Sequence, residues 1–323
     1  MKNLWRYKNV FITGCTGLLG SWLTRQLVDK DANIIGLIRD KVPKSNLYIS
    51  GAIDRITVVE GEVEDYFLIE RVLNEYEVDI VFHLAAQTIV GISNISPIST
   101  FKSNIEGTWN VLEAARRTGR PKSIIVASSD KAYGEQEKLP YTEDSPLRGY
   151  FPYDASKSCA DILSNAYFRT YNLPVCVVRC GNFYGGGDLN FNRIVPGTIR
   201  DVLNDKRPVI RSDGKFVRDY IYIKDAVSAY ILLAEKMLSK NIKGEAFNFS
   251  YNQPITVIRL VNMITDIMGK KGLKPIILNE VKNEIRKQYL SVDKAKRILG
   301  WEPEYSLKTG LEETVKWYKE FLG

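Results

Sequence analysis

The chain has one histidine and four cysteines in 323 residues, and its apolar stretches are short. Cys15, Cys159, Cys176 and Cys180 are too few and too scattered for a disulfide framework, which fits a reducing, cytoplasmic setting. Cys176 and Cys180 have the spacing of a metal pair, but they stand in the Val-rich run Val175-Cys176-Val177-Val178-Arg179, which reads as a buried strand. No cluster of further ligands accompanies them, so no metal is expected. No apolar run approaches the roughly 18 residues that cross a bilayer, and no membrane association is expected. Residues 10–23, preceded by Lys2, Arg6 and Lys8, imitate a secretory leader, yet they lack a small-residue cleavage site. Internal repeats, low-complexity tracts and basic-aromatic stripes are also missing, which argues against a solenoid and against nucleic acid as a partner.

What is present is a normal globular composition, 45% hydrophobic, with a formal net charge of +7 spread along the chain. That charge reads as a solvated basic surface or as attraction for an anionic small molecule. The length predicts one large domain or two closely packed ones. Short apolar strands at 8–13, 33–38, 56–60, 79–84 and 122–128 alternate with amphipathic helices at 18–30, 65–76, 98–118 and 154–172. Such alternation predicts right-handed crossovers and a parallel sheet covered on both faces, with 175–179 as a sixth strand. After Gly185-Gly186-Gly187-Asp188 the loops lengthen and the alternation weakens, while a helix near 224–238 and a strand at 246–249 return to the sheet. The expected fold is α/β: a Rossmann-type doubly wound parallel sheet with a smaller C-terminal substrate-binding domain. Its dinucleotide-binding part would span 1–184 plus about 224–253, and its substrate part 185–223 and 254–323.

The glycines of Thr13-Gly14-Cys15-Thr16-Gly17-Leu18-Leu19-Gly20 follow a strand and open a helix. In that context glycine permits the tight turn and lets the backbone approach a pyrophosphate, to which the helix N-terminus offers free N–H groups. A dinucleotide is therefore expected on residues 14 and 16–20. The second strand ends Leu37-Ile38-Arg39-Asp40. Arg39 suits a 2′-phosphate and points to NADP, whereas Asp40 can reach a ribose hydroxyl and points to NAD; the two stay open. Glu62 and Val63 are placed to flank the adenine.

Tyr153 and Lys157 are four apart on a predicted helix and share a face. A free tyrosine titrates near about pH 10, so a lysine cation, together with a bound nicotinamide cation, is expected to favour the phenolate and make it a base. Ser128-Ser129-Asp130-Lys131 lies one strand-helix unit earlier. The lone His83, at a strand end, reads as structural.

With these motifs the chain resembles the extended short-chain dehydrogenase/reductases of the NAD-dependent epimerase/dehydratase group over nearly its whole length. The likeness extends to Phe82-His83-Leu84-Ala85-Ala86-Gln87, Asn104-Ile105-Glu106-Gly107-Thr108, Arg179-Cys180-Gly181-Asn182-Phe183-Tyr184-Gly185 and Val217-Arg218-Asp219-Tyr220-Ile221-Tyr222-Ile223-Lys224-Asp225. The resemblance implies that Leu84, Ala85, Ala86, Gln87 and Asn104 contact the cofactor, with Tyr153 and Lys157. It also implies that Ser129, Asn182, Arg193 and Arg218 hold a nucleotide-diphosphate sugar, a role that suits the guanidinium of Arg218.

Ser129-Asp130-Lys131, with Pro152-Tyr153 and the Gly185–Asp188 run, is similar to the 4,6-dehydratases that act on CDP-glucose. Cys15 and Arg39 depart from that pattern, so a GDP- or UDP-linked hexose remains open. The chemistry implied is oxidation at C4 with Tyr153 as base, elimination of water across C5–C6 with Asp130 as acid, and hydride return to C6. The alternative on this scaffold is a C4 epimerase or decarboxylase. Lys131 stands where other dehydratases carry a glutamate base; it would serve as that base, position Asp130 and the sugar, or make a structural salt bridge with a neighbouring carboxylate. The resemblance also implies a homodimer in which helices 98–118 and 154–172 form a four-helix bundle.

Overall fold

The computed structural model describes residues 3–281 and 284–323; Lys2, part of the basic flank noted above, lies outside them. The expected alternation forms β1 (Asn9–Thr13), α1 (Leu18–Val28), β2 (Asn33–Ile38), β3 (Thr57–Glu60), α2 (Tyr66–Glu75) and β4 (Ile80–His83). It continues through α3 (Gly107–Thr118), β5 (Ser123–Ala127), α4 (Pro152–Tyr171) and β6 (Val175–Cys180). With β7 (Ala246–Phe249) these strands make a seven-stranded sheet, parallel throughout, in the order β7-β6-β5-β4-β1-β2-β3. The chain winds outward in both directions from β1, so the strand order switches between β1 and β4. A crevice opens there at the carboxyl ends of the strands.

Side-chain alternation along each strand builds the three layers. Val10, Ile12, Ile34, Ile80, Phe82, Ile125 and Val178 face α1 and the later helix Ile223–Ser239. Phe11, Ile35, Val59, Val81, Ile124 and Val126 face α2 and α3. Each such buried apolar side chain contributes about 1.5–3 kcal/mol relative to exposure.

The stretch expected as one helix over 98–118 is broken. A short helix Pro97–Phe101 passes through a wide π-type turn, Lys102–Glu106, before α3 begins. The wide turn carries Asn104, whose amide accepts from the Gln87 N–H (2.7 Å) and donates to Ser156 Oγ (2.9 Å).

Beyond Gly185 the chain forms α5 (Ile194–Leu203), α6 (Ile223–Ser239), α7 (Val257–Ile267) and α8 (Leu307–Leu322). Three two-stranded pairs join them: Asn182–Tyr184 with Tyr220–Tyr222, Val217–Arg218 with Ile255–Thr256, and Val209–Ile210 with Ile276–Ile277. As expected, α6 and β7 return to the sheet. No helix among the described residues is long and apolar enough to cross a membrane.

Candidate active site

The glycine loop between β1 and α1 forms one end of a continuous cavity of about 1410 Å³. Gly14 has φ +74°, and a Cβ there would meet the Ala85 backbone nitrogen at 2.8 Å. At Gly20 a Cβ would collide with the Gly14 carbonyl oxygen. Gly17 caps α1 in an extended conformation with no side-chain cap, leaving the first-turn N–H groups available to an anion. Thr13 Oγ1 accepts from the N–H groups of Leu84 and Ala85 (both 3.1 Å), which holds β4's exit against the loop. This side-chain-free cradle fits a dinucleotide pyrophosphate.

Thr16, Gly17, Leu18, Leu19, Gly20, Arg39, Asp40, Val63, Leu84, Ala85 and Ala86 all lie on the cavity wall. Glu62 points to solvent beside it, and its neighbour Glu64 lines the wall instead. Gln87 and Asn104 sit behind the wall, where Asn104 fixes the Gln87 backbone. Arg39 Nε donates to Asp40 at 2.6 Å, and Asp40, Glu64 and Glu62 all favour its charged form. His83 bridges Thr13 Oγ1 (2.9 Å) and Thr108 Oγ1 (3.0 Å), and burial pushes it down to about 3, so it stays neutral.

The reacting groups gather at the crevice. Ser129, Asp130 and Lys131 follow β5 on a single helical turn, Asp130–Tyr133, which Ser129 Oγ caps by accepting from the Lys131 N–H (3.2 Å). Asp130 is buried; one carboxylate oxygen accepts from Ser129 Oγ at 3.0 Å and the other has no partner among the described residues. Burial pushes this carboxyl up to about 6, against the pull of Lys131 and Ser129. Tyr153 and Lys157 lie in the first turns of α4, which Pro152 opens.

Burial pushes Tyr153 up to about 12, with Ser129 pulling the other way. Lys157 Nζ donates to the Ala127 carbonyl (2.7 Å), and burial lowers it to about 8.

On the far side, Arg218 is buried and Nη2 donates to Glu284 at 3.0 Å. Lys131 Nζ lies 3.7 Å from the same Glu284 oxygen, so the salt-bridge reading of Lys131 has a concrete partner. Burial works to raise the Glu284 carboxyl, but Lys131 and Arg218 outweigh it and hold it below the usual range. Asn182 Nδ2 donates to the Asp219 carbonyl (3.2 Å). Arg193 reaches Asp188 (3.1 Å) and, across the crevice, Thr88 (3.2 Å).

The glycine-rich run sets that corner. Trp22 Nε1 donates to the Gly186 carbonyl (2.8 Å), and the Tyr318 hydroxyl donates to the Asp188 carbonyl (2.6 Å). Sequence reasoning missed Thr88, Arg211, Phe216 and Glu284 on the wall, together with the buried Asp154. Only Asp154, inside the Tyr-x-x-x-Lys stretch, stood where a motif could have drawn attention to it.

A family model described as GDP-mannose 4,6 dehydratase matches residues 11–314. A CDP-glucose 4,6-dehydratase of Salmonella typhimurium is 31% identical, covering 99% of this chain and 93% of that protein. The solved structure of a Bacillus anthracis dTDP-glucose 4,6-dehydratase in complex with NAD aligns with a TM-score of 0.86 at 28% identity, covering 97% of each chain. A UDP-glucose 4-epimerase of Thermotoga maritima with UDP-glucose aligns at 0.88 and 30% identity, covering 98% of this chain and 100% of that one.

Proposed function

Because this chain belongs to the GDP-mannose 4,6 dehydratase family of extended short-chain dehydrogenase/reductases, we propose that it removes water from the hexose of a nucleotide-diphosphate sugar. The product is the 4-keto-6-deoxy sugar. The enzyme is an NAD-dependent nucleotide-sugar 4,6-dehydratase, a lyase. The observation that carries this reading is Asp130: a buried carboxyl at the cavity, one oxygen unpartnered among the described residues, raised to about 6. A C4 epimerase has no use for an acid beside C6.

NAD fits the cradle of Gly14, Gly17 and Gly20, with Asp40 and Glu64 at the ribose end. Bound there, it would supply hydride acceptance at C4 and hydride return at C6. Ser129 hydrogen-bonds the C4 hydroxyl, and Tyr153, held as the phenolate by the Lys157 cation and a bound nicotinamide cation that together offset its burial, takes its proton. The resulting ketone acidifies the C5 hydrogen; the Glu284 carboxylate beside Lys131 takes that proton and returns a proton to C5 as hydride reaches C6. Asp130 protonates the departing C6 hydroxyl, for which its raised pKa suits it. Arg218 holds the diphosphate as its guanidinium exchanges Glu284 for phosphate oxygens. Asn182 and Arg193 close the site around the sugar nucleotide, whose base is that of CDP-glucose or of a GDP- or UDP-linked hexose.

Residues 1–184 with 224–253 form the cofactor domain, and 185–223 with 254–323 the substrate domain. A cytoplasmic homodimer completes the proposal. Ile95, Ile98, Trp109 and Ile162 are exposed on neighbouring helices between 90 and 171, which suits them to a shared helix bundle.

Replacing Asp130 tests the assignment directly. Asp130→Asn is expected to abolish water loss by mass spectrometry while the 340 nm absorbance of reduced nicotinamide still appears. Dehydration at the normal rate would remove Asp130 from the mechanism.

A further inference from the structure

Behind the reacting groups lies a buried polar network that the mechanism above does not use. Arg179 on β6 makes a two-pronged bond to Asp161, Nε to one oxygen (2.7 Å) and Nη2 to the other (2.8 Å). Both side chains are buried. Its Nη1 donates to the Tyr133 hydroxyl (2.8 Å) and to the Glu143 carbonyl (3.0 Å). Tyr133 in turn donates to Asn248 Oδ1 on β7 (2.7 Å). Burial pushes the Tyr133 phenol up, so it keeps the proton that this second bond needs.

The connections have a direction. Asp161 lies one helical turn beyond Lys157 on α4, the helix that carries Tyr153. Tyr133 closes the single turn that begins with Asp130. The network therefore ties the group that acts at C4 to the group that acts at C6. A second tie runs in parallel: Ser158 Oγ on α4 donates to the Ala132 carbonyl in that same turn (2.8 Å). A forked Arg–carboxylate pair fixes angle as well as distance. Buried ion pairs add little net stability against apolar replacements, so geometry is the better account of this one.

We propose that Tyr133 is a positioning residue which, through Arg179 and Asp161, holds the Asp130 turn in register with the Tyr153–Lys157 helix and so couples oxidation at C4 to water loss at C6. The inference rests on the dehydratase reading. Tyr133→Phe removes one hydroxyl and keeps the ring that packs against Tyr141 and under Arg179. It leaves Asn248 Oδ1 without that donor while Tyr153, Lys157 and the glycine loop are untouched.

The test is a rapid-mixing experiment with nucleotide-linked hexose, following 340 nm absorbance and water loss by quenched mass spectrometry. In Tyr133→Phe, C4 oxidation should stay within about twofold of wild type and KM should be unchanged, while water loss slows about tenfold or more and reduced nicotinamide accumulates. Ser158→Ala should show the same split with smaller amplitude. Both phases slowing in parallel, or neither changing, would overturn the role of Tyr133. A wild-type enzyme that releases no water at all would instead count against the dehydratase reading.

Discussion

Asp130 and Asp154 are buried without full hydrogen bonding, and that sets both stability and activity against pH. Burial raises Asp130 and Asp154 from 3.8 to about 6. Each titrates higher in the folded than in the unfolded chain, so its ionisation opposes folding. The stability each contributes as a neutral carboxyl is complete below about pH 4 and is lost as pH rises through about 6. The difference corresponds to about 3 kcal/mol per group at neutral pH. Asp154→Asn should therefore raise the Tm at about pH 8, with the gain vanishing near about pH 4; scanning calorimetry at both values checks this. For catalysis the same shift makes water loss fall as pH rises above about 6, because Asp130 must hold its proton, whereas C4 oxidation should rise with pH as Tyr153 becomes easier to ionise. Asp130 was legible in the sequence because it follows Ser129 in a short motif. Glu284, its neighbours' counter-ion, was not: it comes from a polar segment far along the chain, and only the fold brings it to Lys131 and Arg218.

The strand–loop–helix unit that opens the chain was legible because its glycines answer to a steric demand. Gly14→Ala forces a Cβ against the backbone of Ala85 at a positive φ. Strain of about 1–3 kcal/mol is expected, with a lower Tm and weakened NAD binding by titration calorimetry. The exit of β2 was ambiguous in sequence, since Arg39 and Asp40 argue for different cofactors. In the structure the two pair at 2.6 Å, with Glu62 and Glu64 nearby, so the Arg39 guanidinium is engaged by a carboxylate. Asp40→Asn should free Arg39 and shift preference toward NADP by about tenfold, corresponding to about 1.4 kcal/mol, as measured by the ratio of the two dissociation constants. The interruption of the helix at Lys102–Glu106 was not legible. One extra residue in a turn leaves the apolar pattern nearly unchanged, yet it is what turns Asn104 toward Gln87.

Across the whole molecule, the sheet was readable from alternation alone, whereas the region after Gly185 was not. Its strands are two or three residues long and pair with distant partners, such as Val217–Arg218 with Ile255–Thr256, so no local period announces them. That region nevertheless supplies Arg193, Arg218 and Glu284 to a cavity whose other end holds the glycine loop. The proposed dimer belongs to this scale too. Ile98→Asp with Ile162→Asp should shift the sedimentation coefficient from dimer to monomer, since both side chains are more than half exposed in one subunit. In the proposed reaction the hydride that leaves C4 is the one that arrives at C6, and a water leaves between the two transfers. Nucleotide-linked glucose deuterated at C4, presented as CDP, GDP, UDP and dTDP derivatives, reads this out by mass spectrometry. The expected product from one of them has lost a single water and retains the deuterium at C6; a product of unchanged mass, or a dehydrated one whose deuterium has passed to solvent, would contradict it.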